Sequence, residues 1–171
     1  METSELLADA FGRIRDELHE VVEGLDRDGL AFRPDAEANS IAWLAWHLTR
    51  VQDDHISEIA GRSQVWVSEG WHDRFDLPAD PSNTGYGHTP EQVGALRPEH
   101  PQLLIDYHEA VVGGTLEYLA TIDAAELDRI IDDSYDPPVS IGVRLVSVIA
   151  DDLQHVGQGA YVRGLLARQE T

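Results

Sequence analysis

Ser147-Val-Ile-Ala-Asp-Asp-Leu-Gln-His-Val-Gly-Gln158 is the stretch on which the fold turns. It reads as the interior of a buried helix that carries two groups out of keeping with burial, Asp151 and His155. Their spacing of four places them on one helix face about a turn apart. At 100° per residue the same face carries Val148, Val162 and Leu166. A carboxylate and an imidazole on an apolar face must be paired, hydrogen-bonded or metal-bound, because burying them bare costs several kcal/mol. An internal Asp–His hydrogen bond satisfies an isolated pair. A third donor on another helix, His47, brings a metal site into consideration.

Working outward, the helix containing this stretch runs from about Ser140 to Arg168. It is apolar almost all round in its first half, which predicts the most buried helix of the fold. Near the N-terminus, Leu7, Phe11, Ile14, Leu18, Val21 and Leu25 alternate steps of four and three, an amphipathic helix stripe. Ser40 is a fitting N-cap for a second helix, with a stripe through Ile41, Leu44, Leu48, Val51, His55 and Ile59. A third begins near Pro101 and carries Leu104, Tyr107, Val111, Tyr118 and Ile122. The break at Pro137-Pro138 precedes the fourth. Residues 61–100 are irregular, with the turn-rich Asp80-Pro-Ser-Asn-Thr-Gly-Tyr-Gly87 and a capped start at Thr89-Pro-Glu-Gln92. So long a connection is often functional. The expectation is an all-α, antiparallel four-helix bundle over residues 1–171, one domain, with a long crossover between the second and third helices wrapped outside it. Such bundles build metal sites from inward-facing side chains.

Composition excludes several chemistries. The 171 residues contain no cysteine and no lysine, so all 12 cationic side chains are arginine. The chain therefore supplies no thiol nucleophile, no thiolate ligand and no Schiff-base amine. A formal net charge of −20 opposes nucleic acid and anionic membrane surfaces, which are bound by neutralising phosphates. No apolar run has the length of a membrane span, and the N-terminus reads as an amphipathic helix rather than a signal peptide. A soluble cytoplasmic protein is expected.

Among the candidate site residues, His47 lies about 85° from the centre of its helix's stripe on ideal geometry, at the edge of the buried face. His55 is nearer the centre, a satisfied core histidine or an alternative ligand. Asp54 stacks almost above His47 two turns later, where it would orient a ligand imidazole. His72, His88, His100 and His108 read as surface or loop residues, and His19 lies on the exposed side of the first helix. Trp43, Trp46, Trp66 and Trp71 read as core and loop anchors. Two histidines and one carboxylate leave coordination positions open for water or substrate, as catalytic metal sites require. The spacing does not choose among Zn, Ni, Fe and Mn.

Trp43-Leu-Ala-Trp-His-Leu-Thr-Arg50 together with Asp151-Asp-Leu-Gln-His-Val-Gly-Gln158, in four helices with a long second connection, resembles the DinB superfamily. In particular it is similar to the actinobacterial branch of mycothiol S-transferases and the metal-binding domain of mycothiol-dependent maleylpyruvate isomerase. The resemblance spans essentially the whole chain, including Tyr107-His-Glu-Ala110 and Tyr161-Val-Arg-Gly164. It implies a divalent metal, Zn first, held by His47, Asp151 and His155; relatives carry His or Glu at the position of Asp151. It further implies a metal-dependent transferase in which an imported thiol, mycothiol, attacks an electrophilic small molecule, and a homodimer. Asp54 or Asp152 would orient a ligand imidazole, and Arg50, Arg144 or Arg163 would anchor an anionic electrophile. A non-enzymatic metal-binding stress-response bundle and a metal-dependent hydrolase use the same ligands and remain as alternatives.

Overall fold

The structure, a computed structural model, describes residues 2–169. Four long helices carry it: α1 (Thr3–Val22), α3 (Ile41–Ala60), α7 (Pro101–Leu119) and α9 (Ile141–Gln169). Between them lie the short helices α2 (Arg27–Leu30), α4 (Val65–Ser68), α5 (Trp71–Arg74), α6 (Pro90–Ala95) and α8 (Ala124–Leu127). One antiparallel pair, β1 (Ile130–Asp132) and β2 (Val139–Ser140), precedes α9. No helix among the described residues is long and apolar enough to cross a membrane.

The helix boundaries follow local chemistry. Ser40 Oγ accepts from the Trp43 amide at 3.1 Å and so opens α3, and Gly61, in the left-handed conformation, closes it. Thr89 and Gln92 form the reciprocal capping box of α6, and Pro101 occupies the first turn of α7, where a missing N–H costs nothing.

Around the bundle the order is α1, α9, α3, α7, with α1 and α3 on a diagonal. Thr49 meets His108 and, further along, Gln52 meets Thr115, so α3 and α7 run parallel. Arg144 near the start of α9 meets His55 and Glu58 late in α3, whereas His155 meets His47, so α9 runs antiparallel to α3. The expected antiparallel bundle is corrected on this point: the second and third helices share a direction, because the crossover returns the chain to the end where α3 began. The core is built from Phe11, Ile14 and Leu18, Leu44 and Leu48, Leu104 and Val111, and Leu145 and Val148, all buried. Each such side chain contributes about 1.5–3 kcal/mol of burial.

The most enclosed helix also differs from the expectation. It is α3, not α9: from Ile41 to Arg50 every residue of α3 is buried. The crossover makes the difference, since it lies on the outer face of α3. Asp53 accepts from the amides of Val65 and Trp66 at 3.0 and 2.9 Å, and Trp66, Trp71 and Phe75 gather round Tyr107 with centroids 5.3–5.7 Å away. The buried row of α9 is Ile141, Leu145, Val148, Asp152, Val156, Gly159 and Val162, so Asp152 sits at its centre and Asp151 at its edge. His108, read as a surface residue, is also corrected: it is fully buried in α7, with Nδ1 3.0 Å from Thr49 Oγ1.

Candidate metal centre

His47 on α3 and Asp151 and His155 on α9 come together where the two antiparallel helices cross. One ligand atom from each lies within 4.8 Å of the others. Helical periodicity brings Asp151 and His155 to the same side of α9, and the pairing of the two helices supplies His47. The imidazoles of His47 and His155 stand edge to face, with centroids 4.7 Å apart.

Both rings are held in one tautomer. His47 Nδ1 is 2.5 Å from the Thr84 carbonyl oxygen, and a carbonyl only accepts, so Nδ1 carries the proton and Nε2 keeps its lone pair. His155 Nδ1 lies 3.0 Å from Gln158 Oε1 one turn on, with the same consequence. Its Nε2 faces Asp151 Oδ1 at 3.7 Å, too far for a hydrogen bond. The internal Asp–His bond is therefore not made. Asp151 Oδ2 is buried without a hydrogen-bond partner. Two lone pairs and an unsatisfied carboxylate within 4.8 Å of one another fit the needs of a divalent cation. Ligands at about 2.0–2.2 Å from a tetrahedral ion stand roughly 3.4 Å apart, so the cluster need contract only modestly to close on one.

Burial lowers the pKa of His47 below the ordinary 6.5, with the Thr84 bond acting in the opposite direction. The ring thus stays neutral, the form a metal requires. His47 is only 6% exposed, a correction to its reading as an edge residue, whereas the Asp151 side chain is 38% exposed. The cluster is therefore closed behind His47 and open beside Asp151.

The surroundings of His47 were not legible in sequence. Trp43 stacks on it at 4.5 Å and 16°, and Trp43 Nε1 donates to His88 Nδ1 at 3.1 Å. His88, read as a loop residue, indeed lies in the crossover, yet it also stacks on Trp46. Gly85, at φ +96°, lies so close that a Cβ there would sit 2.9–3.0 Å from Trp46, His47 and Trp43. The Thr84 contact is a backbone carbonyl, which no side-chain pattern announces. Gln158, three residues after His155, was within reach of spacing.

The remaining candidates lie elsewhere. Seven residues put Asp54 about 10 Å along α3 from His47; it accepts from Gln64 Nε2 at 2.6 Å and lines a cavity of 320 Å³ with Gln64 and Pro81. Burial raises its pKa. Eight residues put Arg163 about 12 Å along α9 from His155, where its Nη1 lies 2.7–2.9 Å from the carbonyls of Glu20, Val21 and Glu23. Thr84 and Gln158, rather than Asp54 or Asp152, are the groups bonded to the His47 and His155 imidazoles. Asp152 has both oxygens buried and unpartnered, and burial followed by the charge of Asp151 drives its pKa well above the usual carboxylate range. His55 pairs with Arg144 at 2.8 Å and stands outside the cluster.

A parallel-crossover bundle with a His–Asp–His cluster between two of its helices defines a class of helical proteins with a candidate metal site. The chain belongs to the DinB superfamily, whose family profile matches residues 10–158. A solved structure of a conserved protein from Enterococcus faecalis is similar at 33% identity, with a TM-score of 0.87, covering 95% of this chain and 96% of that one. Among curated proteins none matches the sequence.

Proposed function

We propose that the protein is a metal-dependent S-transferase that joins a low-molecular-weight thiol, most simply mycothiol, to an electrophilic small molecule. The observation that carries this reading is the convergence of His47, Asp151 and His155 within 4.8 Å in a chain that has no thiol of its own. A divalent ion held there, Zn²⁺ first and Ni, Fe or Mn as alternatives, would supply a Lewis acid that lowers the pKa of an arriving thiol towards neutrality.

The protein's own residues do the rest. His47 and His155 bind as neutral donors fixed by Thr84 and Gln158. Only Asp151 brings charge, so the ligand set offsets one of the ion's two positive charges and leaves a field that favours an anionic sulfur. Exposure beside Asp151 gives the thiol and electrophile an approach, and burial behind His47 excludes water from the other side. Asp54 and Arg163 enter this reading only as contacts for distal parts of the substrates, given their distance along the helices.

A homodimer accompanies the proposal. Val143, Val146, Leu153 and Tyr161 are exposed on α9, and with Ala150, Gly157 and Ala160 they fill one sector of that helix. That strip carries no charge, although charged residues make up 26% of the chain. Charge depletion is the compositional mark of an interface core, and a neutral strip is where two copies of charge −20 meet with least repulsion.

The deciding experiment is a turnover assay with mycothiol and a simple electrophile, metal-loaded against chelated. S-conjugate formed only with both thiol and metal supports the transferase. Metal-dependent product formed without thiol replaces it with a hydrolase. No turnover under either condition leaves a metal-binding bundle.

A further inference from the structure

Arg50 is fully buried in α3, and its guanidinium has no donor to spare. Nη1 donates to Asp53 Oδ2 at 3.2 Å and to the Tyr107 hydroxyl at 3.0 Å. Nη2 donates to Gln64 Oε1 at 2.7 Å and to the Pro81 carbonyl at 2.9 Å. Nε donates to the Asn83 carbonyl at 3.1 Å. Five N–H groups meet five acceptors, so Arg50 does not anchor an anionic substrate. Three of the five bonds reach the crossover, and two of those end on the backbone at Pro81 and Asn83.

Those two carbonyls sit three and one residues before the Thr84 carbonyl that fixes His47. The neighbouring Asn83 side chain meets His88 Nε2 at 2.8 Å, and His88 takes the Trp43 indole N–H. Trp43 in turn stacks on His47. Two routes therefore lead from Arg50 to one imidazole. The first runs through the backbone, from Asn83 to Thr84 to His47 Nδ1. The second runs through side chains, from Asn83 to His88 to Trp43 to the face of the His47 ring. Gly85 completes the fit, since only a residue without a Cβ, tolerant of φ +96°, packs against the ring there.

We propose that Arg50 is a positioning residue for His47: it pins residues 81–88 over α3, and so sets the tautomer and orientation in which Nε2 is offered to the metal. Planarity matters, because a guanidinium holds two backbone carbonyls, a hydroxyl, an amide and a carboxylate in one plane and an ammonium cannot. The inference rests on the reading of His47 as a metal ligand for its functional meaning, but not for its geometry.

The test uses the full chain in metal-free form. Long-range ¹H–¹⁵N spectra report which His47 nitrogen carries the proton, and competition against a chelator reports Zn²⁺ affinity. Wild type should show Nδ1 protonated and Nε2 bare. Arg50→Lys keeps a positive charge beside Asp53 but loses the fork. It should show mixed His47 tautomers and bind Zn²⁺ about 10–100-fold more weakly, the usual effect of losing a partner behind a ligand. Gly85→Ala should do the same without touching Arg50, because its Cβ displaces the segment from the ring.

A folded Arg50→Lys protein with the wild-type tautomer overturns the proposal. If that variant fails to fold, Gly85→Ala decides, and an unchanged tautomer there overturns it equally. Altered tautomers in a protein whose wild type binds no Zn²⁺ would leave the positioning intact and remove the metal reading. Undiminished Zn²⁺ binding with unaltered tautomers would do the reverse.

Discussion

His47 Nδ1 and the Thr84 carbonyl, 37 residues apart in sequence, meet at 2.5 Å. That bond places the proton on Nδ1, leaves Nε2 its lone pair, and makes a long connecting segment part of the candidate site. It also fixes what a metal-binding measurement should find.

One divalent ion per chain is expected by elemental analysis, and none in His155→Ala. Gln158→Ala, which removes only the group behind His155, should retain the site with affinity about 10–100-fold lower. Because burial keeps His47 below its ordinary pKa, a proton competes with metal at His47 only at a pH under about 6.5. Affinity should therefore hold at neutral pH and fall on the acid side. Equal metal content in wild type and His155→Ala would remove the assignment.

Thiol and metal should both be required for turnover. His47→Ala should abolish product formation by losing the ion. Its helical signal should persist, because the surrounding core of Leu44, Leu48 and Trp46 is untouched. Loss of activity together with loss of helix would show that the substitution unfolds the bundle rather than emptying its site.

His108 should govern part of the acid stability. Burial depresses its pKa from 6.5 to about 3, so below 6.5 the unfolded chain binds a proton that the native state refuses. Stability contributed by this group is thus intact above pH 6.5 and is lost as pH falls towards 3, at about 1.4 kcal/mol per pH unit. Urea unfolding of His108→Gln against wild type at pH 7, 6 and 5 checks it. The variant should lose ground less steeply on acidification, and parallel curves would show that His108 titrates normally.

Leu153→Arg, at the middle of the neutral strip on α9, should dissociate the homodimer. Sedimentation of wild type at micromolar concentration should give twice the monomer mass, and the variant the monomer mass. A monomeric wild type rejects the dimer and leaves the exposed strip without an occupant.

The helices were the most legible part of the chain. Ser40, the Thr89–Gln92 box and Pro101 act within a few residues of themselves, so their signals survive without tertiary information, and each start falls where they place it. The candidate pair Asp151 and His155 was legible for the same reason, as a fixed i to i+4 spacing on one helix. His47 was found with them partly through family resemblance, since nothing local distinguishes it from His55 eight residues later.

Burial around α3 was not legible. Periodicity finds the face a helix turns to its bundle partners, whereas α3 is covered on its other side by residues 61–100, which have no period of their own. That cover put Arg50, His47 and Trp43 out of solvent together. It also made Asp53 the acceptor for two crossover amides. Breaking the buried Arg50–Asp53 pair by removing one partner would cost about 3–5 kcal/mol, a magnitude no reading of either residue alone suggests.

By itself, then, the sequence determined four amphipathic helices, their caps, a long connection, a strongly acidic composition, and a side-chain inventory with no thiol and no lysine amine. Those properties follow from residue identity and short spacings. Only the tertiary structure decided the parallel course of α3 and α7, and the pairing of His47 with Thr84 and His155 with Gln158. It also moved Asp152 rather than Asp151 to the centre of the buried row. Each depends on which helix faces lie opposite one another, and that is set by packing among distant segments and by a backbone carbonyl that every residue carries alike.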